Sequence, residues 1–239
     1  MKLSSRLNLS ALLSRLARPL HTPVAFAWPE QIPTEAQCTM DEYASHGEPL
    51  RVGGELARQT TGQTCGAMVL LVARSLGEPQ LAQRVEREGI GVVEEELYRE
   101  LRRAALGPLT WPRALGTPPW ALAKAMGYAH TPIDTATERG KSALQWVYHA
   151  TGMGIPVPLY TGGDLGSGPQ RAIPRHVVLA LPGGGLTPDG IPEILIYNPG
   201  TGYVYRVPIF AMAQRTTPLA AFGRWPHLVW AVLPTKGEV

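Results

Sequence analysis

The sequence predicts an α+β domain, with helices gathered in the first half and a mostly antiparallel sheet packed against a central helix. Three observations predict it. Apolar and amphipathic helical stretches occupy residues 65–150; after Pro156 the apolar segments shorten to runs rich in β-branched and aromatic residues; and glycine and proline turns separate those runs. The 26 glycines and 23 prolines follow no fixed period and make up about a fifth of the chain, which suits short strands and structured loops better than a helical bundle. At 239 residues, 44% hydrophobic and 17% charged, the chain can bury one sizeable core, so one catalytic-size domain is expected.

Taken in order, residues 1–48 read as a basic amphipathic N-terminal arm and linker, and residues 49–239 as the domain. Lys2, Arg6, Arg15 and Arg18 are interleaved with Leu9, Leu12, Leu13, Leu16 and Leu20, and no acidic residue precedes Glu30. Arg15 and Arg18 interrupt the apolar centre that a secretory signal needs, although Ala25-Phe26-Ala27 resembles a cleavage site. A docked helical arm or a targeting segment is expected there, followed by a Pro/Glu/Thr-rich linker over 28–48.

From Cys65 to Leu76 the residues are apolar on almost every side, which predicts a buried helix stopped by Gly77. Residues 79–107 continue as a second helical region with glutamates and arginines along a solvated face, and Pro118 to Gly127 and Lys141 to Ala150 read as shorter helices. Strands are expected at Val157 to Tyr160, His176 to Leu181, Glu193 to Tyr197, Tyr203 to Val207 and Leu228 to Leu233. The glycine-rich stretch from Leu181 to Pro192 reads as a long, flexible hairpin connection between two of them.

Composition excludes several classes. The net charge of +3 comes from 22 basic and 19 acidic residues without a long basic run, so no nucleic-acid partner is expected. The two cysteines, Cys38 and Cys65, allow no disulfide framework and fit no zinc spacing, so neither their pairing nor a metal or other cofactor is expected. No apolar stretch approaches the ~18 residues of a membrane span, so no integral membrane segment is expected. A cytoplasmic protein and a secreted or delivered one both agree with this sequence.

The candidate chemistry begins at Cys65, which enters the apolar helix directly from the turn residues Thr61-Gly62-Gln63-Thr64. A helix N-terminus favours negative charge, so a thiolate nucleophile is expected there, with Gly66 leaving room for a substrate backbone. Alone, Cys65 reads more readily as a small buried helix residue. His176 opens a strand, where an imidazole can face a cleft and serve as base. The next strand ends at Asn198-Pro199-Gly200; if the two strands pair, the Asn198 amide reaches the ring and fixes its tautomer. Alone, Asn-Pro-Gly is an ordinary turn. His21, His46, His130, His149 and His227 lack this context and read as surface or packing residues, with His227 the reserve base. The four Gly-Gly steps are no more than this glycine content gives by chance.

These residues and their order resemble the papain-like cysteine peptidases, and more closely the C39-like branch that includes the leader-cleaving peptidase domains of bacteriocin-exporting transporters. In that superfamily a glutamine six residues before the nucleophile helps form the oxyanion hole; Gln59 stands six before Cys65, within Gln59-Thr60-Thr61-Gly62-Gln63-Thr64-Cys65-Gly66-Ala67. The branch's Cys-Gly-Ala opening is present, and its histidine followed by valines and then an Asp/Asn-Pro looks like His176-Val177-Val178 and Asn198-Pro199. The resemblance covers about residues 55–210. Members of the branch usually carry Asp before that proline; Asn is the papain-type residue. Gln63, nearer in sequence, is a second oxyanion candidate. The resemblance implies a peptidase with a Cys65-His176-Asn198 triad, a thioester intermediate and a protein or peptide substrate. A free-standing leader peptidase fits it, as does a delivered protease toxin with an inhibitor or immunity protein as partner. The same triad serves a deamidase, a transglutaminase-like enzyme or a cell-wall amidase, and a non-catalytic peptide-binding module on the same fold is the rival from another class.

Overall fold

The computed structural model of the chain describes residues 13, 47–135, 137–163, 174, 176–214 and 217–235. The arm and linker expected over 1–48, with Cys38, His21 and His46, lie outside the described residues except for positions 13, 47 and 48. Sheet structure begins at 47, two residues before the expected domain start: β1 (Gly47–Pro49) is followed by a small hairpin of β2 (Arg51–Val52) and β3 (Glu55–Leu56).

The helical half follows as α1 (Cys65–Ser75), α2 (Pro79–Glu88), α3 (Ile90–Leu106) and α4 (Pro119–Met126). The single helical region expected over 79–107 is two helices, because Gly89 takes φ 87°, a left-handed angle that ends α2 and redirects the chain into α3. α1 is buried from Cys65 through Ala73, as its all-round apolar sequence requires. Truncating one of its fully buried leucines, Leu70 or Leu71, to alanine is worth about 2–5 kcal/mol of stability.

The second half interleaves α5 (Glu138–Gly152) and α6 (Ile209–Gln214) with the strands β4 (Ala129–Pro132), β5 (Val157–Gly162), β6 (His176–Leu186), β7 (Pro192–Asn198), β8 (Tyr203–Pro208) and β9 (His227–Leu233). Seven strands form one sheet in the order β1-β8-β7-β6-β5-β9-β4, antiparallel at each pairing. β6 is covered on both faces. Val177, Leu179 and Leu181 pack with α1, α3 and α4, while Val178 and Ala180 pack with Leu144 and Val147 of α5. Burial on both faces is why the strand reads as an unbroken apolar run instead of alternating.

The fold is therefore a mixture of helix and antiparallel sheet, as expected. The connection between β6 and β7 differs from the expectation. Pairing continues through the glycines, with Leu181 opposite Leu195 and Gly185 opposite Glu193, and the register shift between those pairs takes up the extra residues as a bulge. The turn proper is short and tied, with Thr187 N–H donating to Ile191 O at 2.8 Å and Gly190 N–H to Thr187 O at 2.9 Å. Among the described residues no helix is long and apolar enough to cross a membrane.

Candidate active site

Sheet register creates the base side of the site. β6 and β7 pair through Leu179 and Tyr197, which leaves His176 at the start of one strand beside Asn198 at the end of its neighbour. His176 Nε2 and Asn198 Oδ1 lie 2.8 Å apart. The Asn198 amide cannot turn over, because its Nδ2 donates to Ala220 O at 2.7 Å and its Oδ1 accepts from Gly200 N–H at 2.9 Å. An oxygen therefore faces the ring, so Nε2 carries the proton and donates, and Nδ1 is left as the lone-pair nitrogen. Asn198 is 1% exposed, so each of these bonds is made away from solvent.

The ring itself is fixed from two sides by glycines. A Cβ placed on Gly223 would lie 2.4 Å from His176 Cδ2, and one on Gly200 would lie 3.6 Å from Cε1. Gly223 ends the short 3-10 turn Ala220–Phe222, whose carbonyls also receive Asn198 Nδ2 and, at 2.9 Å, the Thr161 hydroxyl. Burial lowers the His176 pKa, and its bond to Asn198 opposes that only in part, so the imidazole is held neutral.

The nucleophile side is built by the head of α1. Cys65 is the first helical residue, 5% exposed, and its thiol meets three backbone N–H groups, those of Cys65, Gly66 and Val177. Val177 follows His176 directly, so α1 brings Cys65 against the peptide next to the base. Among the described residues the thiol and the imidazole make no hydrogen bond to each other. A thiolate was expected at this helix end, and the structure corrects that. Burial pushes the thiol from its ordinary 9.0 up to about 11; the three amides oppose it, and the Glu94 carboxylate adds to it. Desolvation outweighs the helix terminus because the sulfur is enclosed by the sheet as well as capped by the helix.

Gly66 also differs from its expected role. A Cβ there would lie 2.5 Å from the Thr117 side chain, so the space above Gly66 is filled by the segment entering α4 and is not open to substrate. Thr117 is 6% exposed, its carbonyl accepts from Tyr160 Oη at 3.0 Å, and its own hydroxyl is buried without a partner among the described residues.

The loop before Cys65 joins both sides. Gln59 N–H donates to Pro199 O at 2.9 Å, which places this segment beside the turn that carries Asn198. Its side-chain Nε2 donates to Thr61 O at 2.7 Å, while Oε1 is buried without a partner among the described residues. Gln63 is exposed. The structure thus brings Gln59, Cys65, His176 and Asn198 together from three separate stretches of sequence. Glu94 of α3, fully buried beneath this loop, was not among the sequence candidates. Of the other histidines, His227 is buried on β9 opposite Gly162, His130 accepts from Trp230 Nε1 at 3.2 Å, and His149 meets Trp146 edge to face, so His130 and His149 have the surface or packing roles expected of them. Cys65 is a free thiol. Among the described residues no group of three His, Cys, Asp or Glu side chains is placed to hold a metal ion.

No protein-family model, curated protein or solved structure matches this chain.

Proposed function

We propose that this protein is a cysteine hydrolase of papain-like, C39-like type that acts on peptide bonds. The observation that carries the reading is the fixed orientation of Asn198: two backbone bonds turn its oxygen to His176 Nε2, which leaves Nδ1 as the lone-pair nitrogen of the residue whose neighbour, Val177, meets the Cys65 thiol. The Gly200 bond is the one any Asn-Pro-Gly turn makes; what goes beyond a turn is the second tie to Ala220 O together with the imidazole partner.

In the proposed reaction His176 Nδ1 takes the thiol proton as sulfur attacks the substrate carbonyl, forming the C–S bond. The oxyanion is held by amide N–H groups at the head of α1, with Gln59 Nε2, which has a second hydrogen beyond the one given to Thr61 O, as a further donor. His176 returns the proton to the leaving nitrogen as the C–N bond breaks. Water, deprotonated by the same ring, then hydrolyses the thioester and restores the thiol. With the thiol raised and the imidazole lowered, the resting pair is neutral, and the proton moves only as attack proceeds.

A second reading, a non-catalytic peptide-binding module, is favoured by one observation: a buried thiol held protonated is also what a packing cysteine presents. The deciding experiment exposes a cell lysate to the wild-type chain and to Cys65→Ala and identifies modified proteins by mass spectrometry. New peptide termini in the wild-type sample alone support the peptidase. A gain of about one dalton without new termini, from replacement of an amide nitrogen by oxygen, assigns the same site to deamidation. Identical samples overturn the hydrolase reading. The cleaved sequences separate a leader peptidase from a delivered toxin, since the chemistry of the two is the same.

A further inference from the structure

Glu94 lies on the face of α3 that packs inward, 0% exposed, directly beneath residues 59–64. A buried carboxylate is costly unless its oxygens are bonded, and here both are turned to the loop. Thr60 N–H donates to Oε2 at 3.0 Å and to Oε1 at 3.3 Å, the Thr60 hydroxyl donates to Oε2, and the Thr64 hydroxyl lies within reach of the same carboxylate. Thr64 is the N-cap of α1, the position at which a hydroxyl ordinarily accepts from the first-turn amides. Its side chain makes no such capping bond; it donates to Thr61 O at 3.0 Å and accepts from Thr61 N–H at 3.2 Å. The Gly66 amide, which a capping bond would take, is consequently left for the sulfur beside that of Cys65.

We propose that Glu94 is a positioning residue for the Cys65 site: by holding Thr60 it fixes the loop that carries Gln59 and leads into the head of α1. The catalytic meaning of this rests on the hydrolase reading above; the geometry does not. Glu94 has a second effect, because its charge opposes a second negative charge on the sulfur. The ionisable groups around the pair are Tyr98 on α3, Tyr160 on β5 and Tyr197 on β7, all held neutral by burial, His176 on β6, and Glu95, whose charge adds to the raised pKa of Glu94. The nearest cations, Arg102 and Arg113, lie over the Tyr98 ring and act on that phenol, so among the described residues the Glu94 carboxylate is the charge the thiol meets.

The test follows iodoacetamide alkylation of Cys65 in the full-length chain by mass spectrometry from pH 6 to 11, in wild type and Glu94→Gln, with Tm measured alongside. Glutamine keeps an acceptor for Thr60 and removes the charge. The pH of half-maximal alkylation is expected to fall, with alkylation at pH 8 about twofold faster than in wild type, since burial and not Glu94 is the larger cause of the raised thiol. An unchanged midpoint with a lowered Tm marks a merely structural residue and overturns the proposal. Should Glu94→Gln not fold, Thr60→Val removes one tie and leaves the carboxylate in place. It is expected to loosen the loop and speed alkylation about threefold at pH 9; an unchanged rate overturns the proposal. These outcomes are read on the thiol alone, so a failure here is distinct from absence of hydrolysis, which would sink the function and leave the clamp standing.

Discussion

The two halves of the candidate site are held in opposite ways. On the base side, His176 and Asn198 are fixed by neutral backbone groups, Gly200 N–H and Ala220 O, and by two glycines against the ring, so the orientation is complete before any ligand arrives. On the thiol side, Cys65 sits among amides that favour its charge, yet burial and Glu94 keep the proton on. Orientation is thus set in advance and ionisation is withheld. A thiol with a raised pKa is unreactive at rest but a strong nucleophile once its proton is taken, which places the demand on the aimed imidazole.

The sharpest way to break this contrast is to remove each side in turn. Cys65→Ala is expected to abolish hydrolysis, and His176→Ala to lower kcat by about 10²–10⁴, the usual worth of a general base, with KM little changed. Retention of most activity by His176→Ala, in assays on a substrate identified from lysate, would place the base elsewhere, with His227 next to be tested.

Gly223→Ala and Gly66→Ala compare the packing of the two sides. At Gly223 the added methyl meets the His176 ring and the backbone has φ 68°, so both folding and activity are expected to suffer, with about 1–3 kcal/mol lost in urea unfolding and kcat falling further than that loss explains. At Gly66 the methyl meets Thr117 from its Cβ outward, so the pair change Gly66→Ala with Thr117→Gly, which removes that Cβ, is expected to recover part of the stability. Equal recovery of Gly223→Ala by a change at Thr117 would contradict the separation of the two sides.

Asn198→Ala leaves Gly200 N–H and Ala220 O without their buried partner, an expected cost of about 1–3 kcal/mol by urea unfolding, together with a loss of tautomer control seen in the ring-nitrogen shifts of His176. Unchanged shifts would show that the ring is held by its glycines alone.

The last contrast, with the least effect at neutral pH, is in the pH dependence of stability. The Cys65 thiol is raised from 9.0 to about 11 in the fold, so its contribution is fully present below pH 9 and is lost as the pH rises through 11, a difference of about 3 kcal/mol. His176 is lowered from 6.5, so its contribution is present above pH 6.5 and is lost as the pH falls through the folded value. Cys65→Ser is expected to flatten the alkaline limb alone, and His176→Gln the acidic limb alone, in urea unfolding followed across pH. Buried Tyr98, Tyr160 and Tyr197 keep an alkaline limb of their own above pH 10, so the comparison is read between pH 9 and 10, where a slope unchanged by Cys65→Ser would show that the thiol is less buried than the fold places it.

Much of the fold was legible because its signals are local. The buried α1, the split of helical and extended halves, and the strands around His176 and Asn198 all follow from runs of apolar residues and their punctuation. β1 to β4 were not legible. They have two to four residues each, too short for a period, and β4 contains Pro132 and exists through its pairing with β9. Glu94 was readable in principle. It stands four residues after Ile90 and four before Tyr98, on the same stripe as Val93, Leu97 and Leu101, but the run Glu94-Glu95-Glu96 makes it look like part of a solvated face.

By itself the sequence determined the order of elements and which residue types stand at a helix start, a strand start and a strand end, because those depend on neighbours within a few positions. The tertiary structure alone decided which face Glu94 turns to the loop, what covers Gly66, which way the Asn198 amide points, and whether the Cys65 thiol carries its proton. Each is set by atoms from distant stretches, Thr117, Val177, Ala220 and Glu94 among them. Desolvation is a sum over everything that excludes water, so no local pattern around Cys65 records it.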